Sequence, residues 1–149
     1  MVTALFDHIL VPVASENDAE VTARALRQYL PAEGTVVFTN VIEKAGGAPD
    51  KASVEQREEL AEAAFRTAAG ELTDRDVLIE TRLTYGTDVA ERIVETAADE
   101  DATAIIFTPR GSSRWTKLIT GNVTDKLVAR SDRPVVALPE DDGDEVSSG

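Results

Sequence analysis

Ile9-Leu10-Val11-Pro12-Val13 is an apolar run without polar alternation, the pattern of a strand covered by helices on both faces. Pro12 has no amide to donate to a ladder, so it belongs at the carboxyl end of that strand, where pairing stops. Working outward, Asn17 or Asp18 is the expected N-cap of a helix in which Ala19, Ala23, Leu26 and Leu30 recur at spacings of four, three and four. Residues 35–42 are rich in β-branched side chains and read as a second strand. Residues 44–52, with Gly46-Gly47 and Pro49, read as an exposed loop. Ser53 and Gln56 fit a capping box for a second helix carried by Leu60, Ala64, Ala68 and Leu72.

The third strand, residues 77–83, alternates Val77, Ile79, Thr81 and Leu83 with Leu78, Glu80 and Arg82. That pattern suits a sheet edge, where charge discourages pairing with another chain. A third helix follows Gly86 with Val89, Ile93, Val94 and Ala97 on one face, and Ala104-Ile105-Ile106-Phe107 forms a fourth strand. A fourth helix turns Val123, Leu127 and Val128 inward, and Val135-Val136-Ala137-Leu138 is the fifth strand. Strands alternating with helices predict an α/β fold built of βαβ units around a parallel sheet.

Composition narrows the function. The chain has 149 residues, 28 acidic against 15 basic, and a net charge of -13, which excludes nucleic acid and anionic membrane as general partners. Only Lys44, Lys51, Lys117 and Lys126 are lysines, and such acid-rich, lysine-poor surfaces resemble those of proteins from salt-loving organisms. The absence of cysteine removes disulfides, thiolate metal sites and thiol nucleophiles, and the lone His8, expected at the surface or as a cap, cannot build a zinc site alone. No run approaches the roughly 18 apolar residues of a membrane span, and the start of the chain is no targeting signal, so a cytoplasmic protein is expected.

In open parallel sheets ligands collect beyond the carboxyl ends of the strands, which directs attention to the segments after Val13 and Phe107. The second, Thr108-Pro109-Arg110-Gly111-Ser112-Ser113-Arg114, holds a glycine for close backbone approach, two guanidinium groups and two hydroxyls. Gly121-Asn122 then opens a helix whose free amides form an anion site. The bland reading stands beside this one: glycines at a strand end and a helix start serve turns in many α/β proteins, and exposed arginines commonly pair with surface carboxylates.

Four stretches together, Ile9-Leu10-Val11-Pro12-Val13, Gly86-Thr87-Asp88-Val89-Ala90-Glu91-Arg92-Ile93, Arg110-Gly111 with nine residues to Gly121, and Arg133-Pro134-Val135-Val136-Ala137-Leu138-Pro139, resemble a universal stress protein domain over residues 5–139. The resemblance implies a three-layer sandwich with a five-stranded parallel sheet of order 3-2-1-4-5. It also implies a homodimer through Val135, Val136, Ala137 and Leu138 and, in one branch, ATP or AMP where strands one and four diverge, with Mg accompanying ATP. Residues 1–139 would form that domain and residues 140–149 a disordered acidic tail. The nucleotide-binding branch has glycine, two residues, glycine, nine residues, then glycine and a hydroxyl residue. Those positions are here Thr108, Gly111, Gly121 and Asn122, so two of four are altered. The adenosine-contacting aspartate of the family falls on Ala14, while Val41 retains an adenine-lining position. The ligand site so implied comprises Pro12, Val13, Ala14, Val41, Thr108, Arg110, Gly111, Ser112, Gly121, Asn122 and Val123.

Loss of an aspartate acceptor removes a contact worth roughly 1.5–3 kcal/mol, or one to two decades of affinity. The departures favour weak or absent nucleotide binding by a stress-response regulatory protein. An ATP-binding protein with slow ATPase activity and a ligand-free dimeric interaction module remain alternatives, the latter with Trp115 and Leu118 as partner contacts. Enzyme readings lack their motifs: no Ser-Gly-Gly follows strand one, no Gly-Lys-Ser/Thr ending occurs, and Thr84-Tyr85 stands where a receiver domain needs its aspartate. No catalytic or metal-binding residues are assigned, and Asp99-Glu100-Asp101 reads as a solvated turn.

Overall fold

The computed structural model of the protein describes residues 5–43, 51–108 and 124–139. Within them the chain runs β1 (His8–Pro12), α1 (Glu16–Leu26), β2 (Glu33–Glu43), α2 (Lys51–Gly70), β3 (Asp76–Gly86), α3 (Val89–Asp99), β4 (Ala104–Phe107), α4 (Thr124–Arg130) and β5 (Val135–Ala137). All pairings are parallel, and the sheet order is β3-β2-β1-β4-β5.

The apolar run of β1 divides between two cores. Ile9, Val11 and Val13 turn to a cluster with Ala19, Ala23 and Leu26 of α1 and Ala64, Phe65 and Ala68 of α2. Leu10 turns the other way, to Val89 and Ile93 of α3 and Leu127 of α4. This is the three-layer sandwich that the sequence implies. Ile9, Leu10, Val11, Ile105 and Ile106 are completely buried, and each such side chain contributes about 1.5–3 kcal/mol relative to exposure.

Pro12 decides where the sheet opens. The Val13 amide donates to Thr39 O of β2, so by strand alternation residue 12 faces β4, the side on which proline has no hydrogen to give. Pairing between β1 and β4 is registered at Ile9↔Ala104 and Leu10↔Ile105, whereas β1 stays paired with β2 through Pro12↔Thr39. The central pair therefore parts at its carboxyl end, between the two strands where the sheet order reverses.

The amino-terminal end is closed by backbone contacts. Gly34 has φ +157°, and a Cβ there would stand 3.0 Å from Asp7 O, while the Thr35 amide donates to the same oxygen at 2.8 Å. Thr103 Oγ1 accepts from the His8 amide at 3.1 Å and donates to Leu5 O at 2.8 Å, and Arg133 Nε donates to Ala102 O.

Several expectations are corrected. Ser15, not Asn17 or Asp18, caps α1: its Oγ accepts from the Asp18 amide, which puts Asp18 at the third helical position. Lys51 and Ala52 are helical and Ser53 is the third residue of α2, so Ser53 does not cap it. Leu60 is 61% exposed and Val128 64%, because the inward stripes are Ala61, Ala64, Phe65 and Ala68 on α2 and Leu127 on α4. His8 is half-buried, with its Nε2 buried and unpartnered among the described residues. The Asp99-Glu100-Asp101 turn is solvated as expected at Asp99 and Asp101, while Glu100 accepts from Arg82 Nε at 2.6 Å, and Asp101 closes α3 at φ 58°. With the Asp101 amide on Ala98 O and the Ala102 amide on Ala97 O, this is a Schellman ending. Residues 140–149, expected to be disordered, lie outside the described residues.

Candidate functional site

Where β1 and β4 part, Pro12 ends β1, Val13 and Ala14 follow it, Val41 lies in the neighbouring β2 and Thr108 follows β4. Val13 and Thr108 are buried, and Ala14 and Val41 are partly buried against the α3–α4 side core. Arg110, Gly111, Ser112, Gly121, Asn122 and Val123, with Trp115 and Leu118, lie outside the described residues.

Three side chains that sequence reading did not assign to the site organise this end of the sheet. Asn40 of β2, 8% exposed, donates through Nδ2 to Val13 O at 2.9 Å and Ala14 O at 3.4 Å, holding the β1–α1 turn onto β2. Asp18 of α1, 4% exposed, accepts the Ala14 amide on Oδ2 at 2.8 Å. With Ser15 accepting the Asp18 amide, this is a capping box whose acidic partner reaches one residue further back than usual. Thr22, one turn beyond Asp18, meets Thr108 of the β4 exit with 2.6 Å between hydroxyl oxygens. Asp18 and Thr22 are polar residues at i and i+4 beside the apolar stripe of α1, and that misplaced polarity is the sequence signal that could have found them.

Burial pushes the Asp18 carboxyl up from its ordinary 3.8 to about 6, against the opposing pull of the Ala14 amide and the Thr22 hydroxyl. A buried carboxyl with a raised pKa is a candidate functional group more than a stabilising one. On the opposite face of the sheet, Asp88 caps α3 by accepting the Glu91 amide and draws Lys126 and Arg130 of α4 to 3.4 and 3.3 Å, fixing α4 below the crevice. The Glu91 amide and these two cations hold the Asp88 carboxyl below its ordinary value.

A second concavity, between α2 and β3, is lined by Glu55, Glu58, Glu59, Glu62 and Leu83. Four carboxylates make it hostile to an anion, and among the described residues no group of His, Cys, Asp and Glu could hold a metal ion. No helix among the described residues is long and apolar enough to cross a membrane.

The fold is shared with known proteins. No curated protein matches the chain. Solved structures with the same fold include the universal stress protein of Archaeoglobus fulgidus in complex with dAMP, at 18% identity over 90% of this chain and 98% of that one, TM-score 0.59. A universal stress protein family protein of Arabidopsis thaliana with AMP bound matches at 15% identity over 93% and 94%, TM-score 0.63. A universal stress protein in complex with cAMP matches at 17% identity over 86% and 95%, TM-score 0.56. The model of the universal stress protein family matches residues 5–139, and the chain belongs to that family.

Proposed function

We propose that this chain is a cytoplasmic regulatory binding protein whose β1–β4 crevice takes an adenine nucleotide, or another phosphate-bearing anion, with low affinity. The observation that carries the reading is the turn after β1. Ala14 offers no side-chain acceptor there, and the nearby carboxylate of Asp18 is spent on the Ala14 amide. The relatives with dAMP, AMP and cAMP support nucleotide as the ligand class, and the 108–122 segment would supply phosphate contacts through Arg110, Gly111, Ser112, Gly121 and Asn122. The protein acts by binding, since Asp18, a carboxyl at the crevice, is buried and already engaged. Calorimetric titration with ATP plus Mg, AMP and phosphate at high salt tests this. Weak binding is expected, with Ala14→Asp tightening AMP about ten- to a hundredfold. Tight ATP binding by the unaltered chain would overturn it.

We further propose that two copies pair through β5. The Pro134 carbonyl and Leu138 amide bond to β4, so the intervening alternation turns the amides of Val135 and Ala137 to the free edge. Val136 packs on the core, which makes exposed Ala137 the better probe. Light scattering should show a dimer that Ala137→Pro converts to monomer, and an unchanged mass would remove β5 from the interface.

A further inference from the structure

β3 ends the sheet on the side away from β5, and it is eleven residues long. Alternation along the sheet fixes which of its backbone groups face outward. The Thr35 amide of β2 donates to Asp7 O and the Thr39 carbonyl accepts the Val13 amide, so odd-numbered residues of β2 face β1 and even-numbered ones face β3. The registers Val36↔Ile79 and Asn40↔Leu83 then turn the even-numbered residues of β3 towards β2. Thr39 Oγ1 reaches Arg82 O at 2.8 Å from that side, in agreement. The amides and carbonyls of Ile79, Thr81 and Leu83 therefore point out of the sheet. An edge of this length is a template for another strand.

One side chain lies across it. Arg82 Nη1 donates at 2.8 Å to Thr81 O, the outward carbonyl at the middle of β3. The rest of the guanidinium is pinned: Nε and Nη2 donate to Glu100 at 2.6 and 3.2 Å, and Nη2 donates to Glu80 at 2.9 Å. The Glu100 side chain is only 15% exposed, so the end of α3 gives the fork a firm seat. A planar fork held by two carboxylates keeps its place on the carbonyl as a single mobile ammonium would not.

We propose that Arg82 latches shut a self-pairing surface: the β3 edge fits a second copy of this chain, and Arg82 occupies the carbonyl on which that pairing would centre. Two such edges related by a two-fold axis at Thr81 run antiparallel. Ile79 then stands opposite Leu83 of the second copy, Thr81 opposite Thr81, and Glu80 opposite Arg82, so apolar meets apolar and no like charges face each other. The side chains suit the pairing, and the latch withholds the backbone. The surface is separate from the β5 edge and from the β1–β4 crevice.

Light scattering and amide hydrogen exchange on the full chain test this. In the unaltered protein the Ile79, Thr81 and Leu83 amides should exchange readily. Arg82→Thr removes the latch, favours a strand and leaves Glu80 opposite a hydroxyl. It should raise the mass about twofold or more and protect those three amides. If copies also pair through β5, assemblies longer than two dimers form, and otherwise growth stops at two copies. Adding Thr81→Pro removes an outward amide and no bond to β2, so the mass should return to that of the unaltered protein. An Arg82→Thr variant that keeps the unaltered mass overturns the latch. So does association that survives Thr81→Pro or leaves the three amides unprotected, because a loosened fold would stick together without using this edge. Protection of the same amides in the unaltered protein would show the edge paired with Arg82 in place, and overturns it too.

Discussion

The two ends of one sheet are built on opposite principles. At the amino end, polar and backbone contacts close the chain on itself: Thr103 joins His8 to Leu5, Arg133 holds Ala102, and Gly34 lets residues 7 and 35 meet. At the carboxyl end the chain buries Asp18, Thr22, Thr39, Asn40, Thr84 and Thr108, nearly all of its buried polar side chains among the described residues. Burying polar groups costs stability unless every bond is met, and burying an ionisable one costs more. The amino end therefore serves the fold, and the carboxyl end gives up stability for buried polar groups, as the proposed ligand site would require. If so, conservative substitutions at the two ends should change stability with opposite signs.

The largest effect is expected from Gly34→Ala. Its φ of +157° lies in a region that residues with a Cβ rarely adopt, and the new atom would meet Asp7 O at 3.0 Å and Pro31 Cγ at 3.4 Å. The Asp7 contact is backbone and cannot swing aside. Denaturant unfolding should show a loss of about 2–3 kcal/mol, with ligand affinity unchanged. A neutral outcome would break the comparison at its firmer end.

Asp18→Asn should move stability the other way, by about 2 kcal/mol at neutral pH, because it keeps the shape and removes a buried charge. The sign follows from the raised folded pKa. A carboxyl that holds its proton more tightly when folded contributes stability that is full below its unfolded value, near 3.8, and lost as pH rises through about 6. The gap between variant and unaltered chain should therefore be widest above pH 7 and shrink towards zero near pH 4, a difference that cancels the titration of other carboxylates. A variant less stable than the unaltered chain at pH 7 would mean that the carboxylate stabilises the turn it caps.

Much of this was legible in the sequence. The uninterrupted apolar runs of β1 and β4 and the alternation of β3 fixed a parallel sheet with β3 at its edge, because burial on two faces and on one leave different periodicities. Pro12 announced the end of β1 by its missing amide. The capping of α1 and the clamp on the β1–α1 turn were less legible. Ser15, Asp18 and Asn40 act through contacts between segments up to 27 residues apart, and short polar residues beside a helix start suit several caps equally. Leu60 and Val128 misled because helical spacing alone admits neighbouring stripes, and only the partner surface selects Phe65 and Leu127. Asp18 was visible but misassigned: its residue type fits an N-cap, and nothing local shows that its side chain turns back onto the Ala14 amide.

The smallest expected effect returns to the amino end. Thr103→Val keeps the volume and β-branching of the side chain and removes its oxygen, leaving the His8 amide and the Leu5 carbonyl without that partner. Both groups lie near enough to the surface for water to replace part of what is lost, so the cost should be about 1 kcal/mol, that of a net hydrogen bond rather than of a fully buried orphan. The direction matters more than the size. A loss here, beside a gain for Asp18→Asn, would show that losing a polar side chain lowers stability where it closes the backbone and raises it where it lines the crevice. A gain from Thr103→Val would place a strained polar contact at both ends and remove the asymmetry on which the functional assignment of the carboxyl end leans.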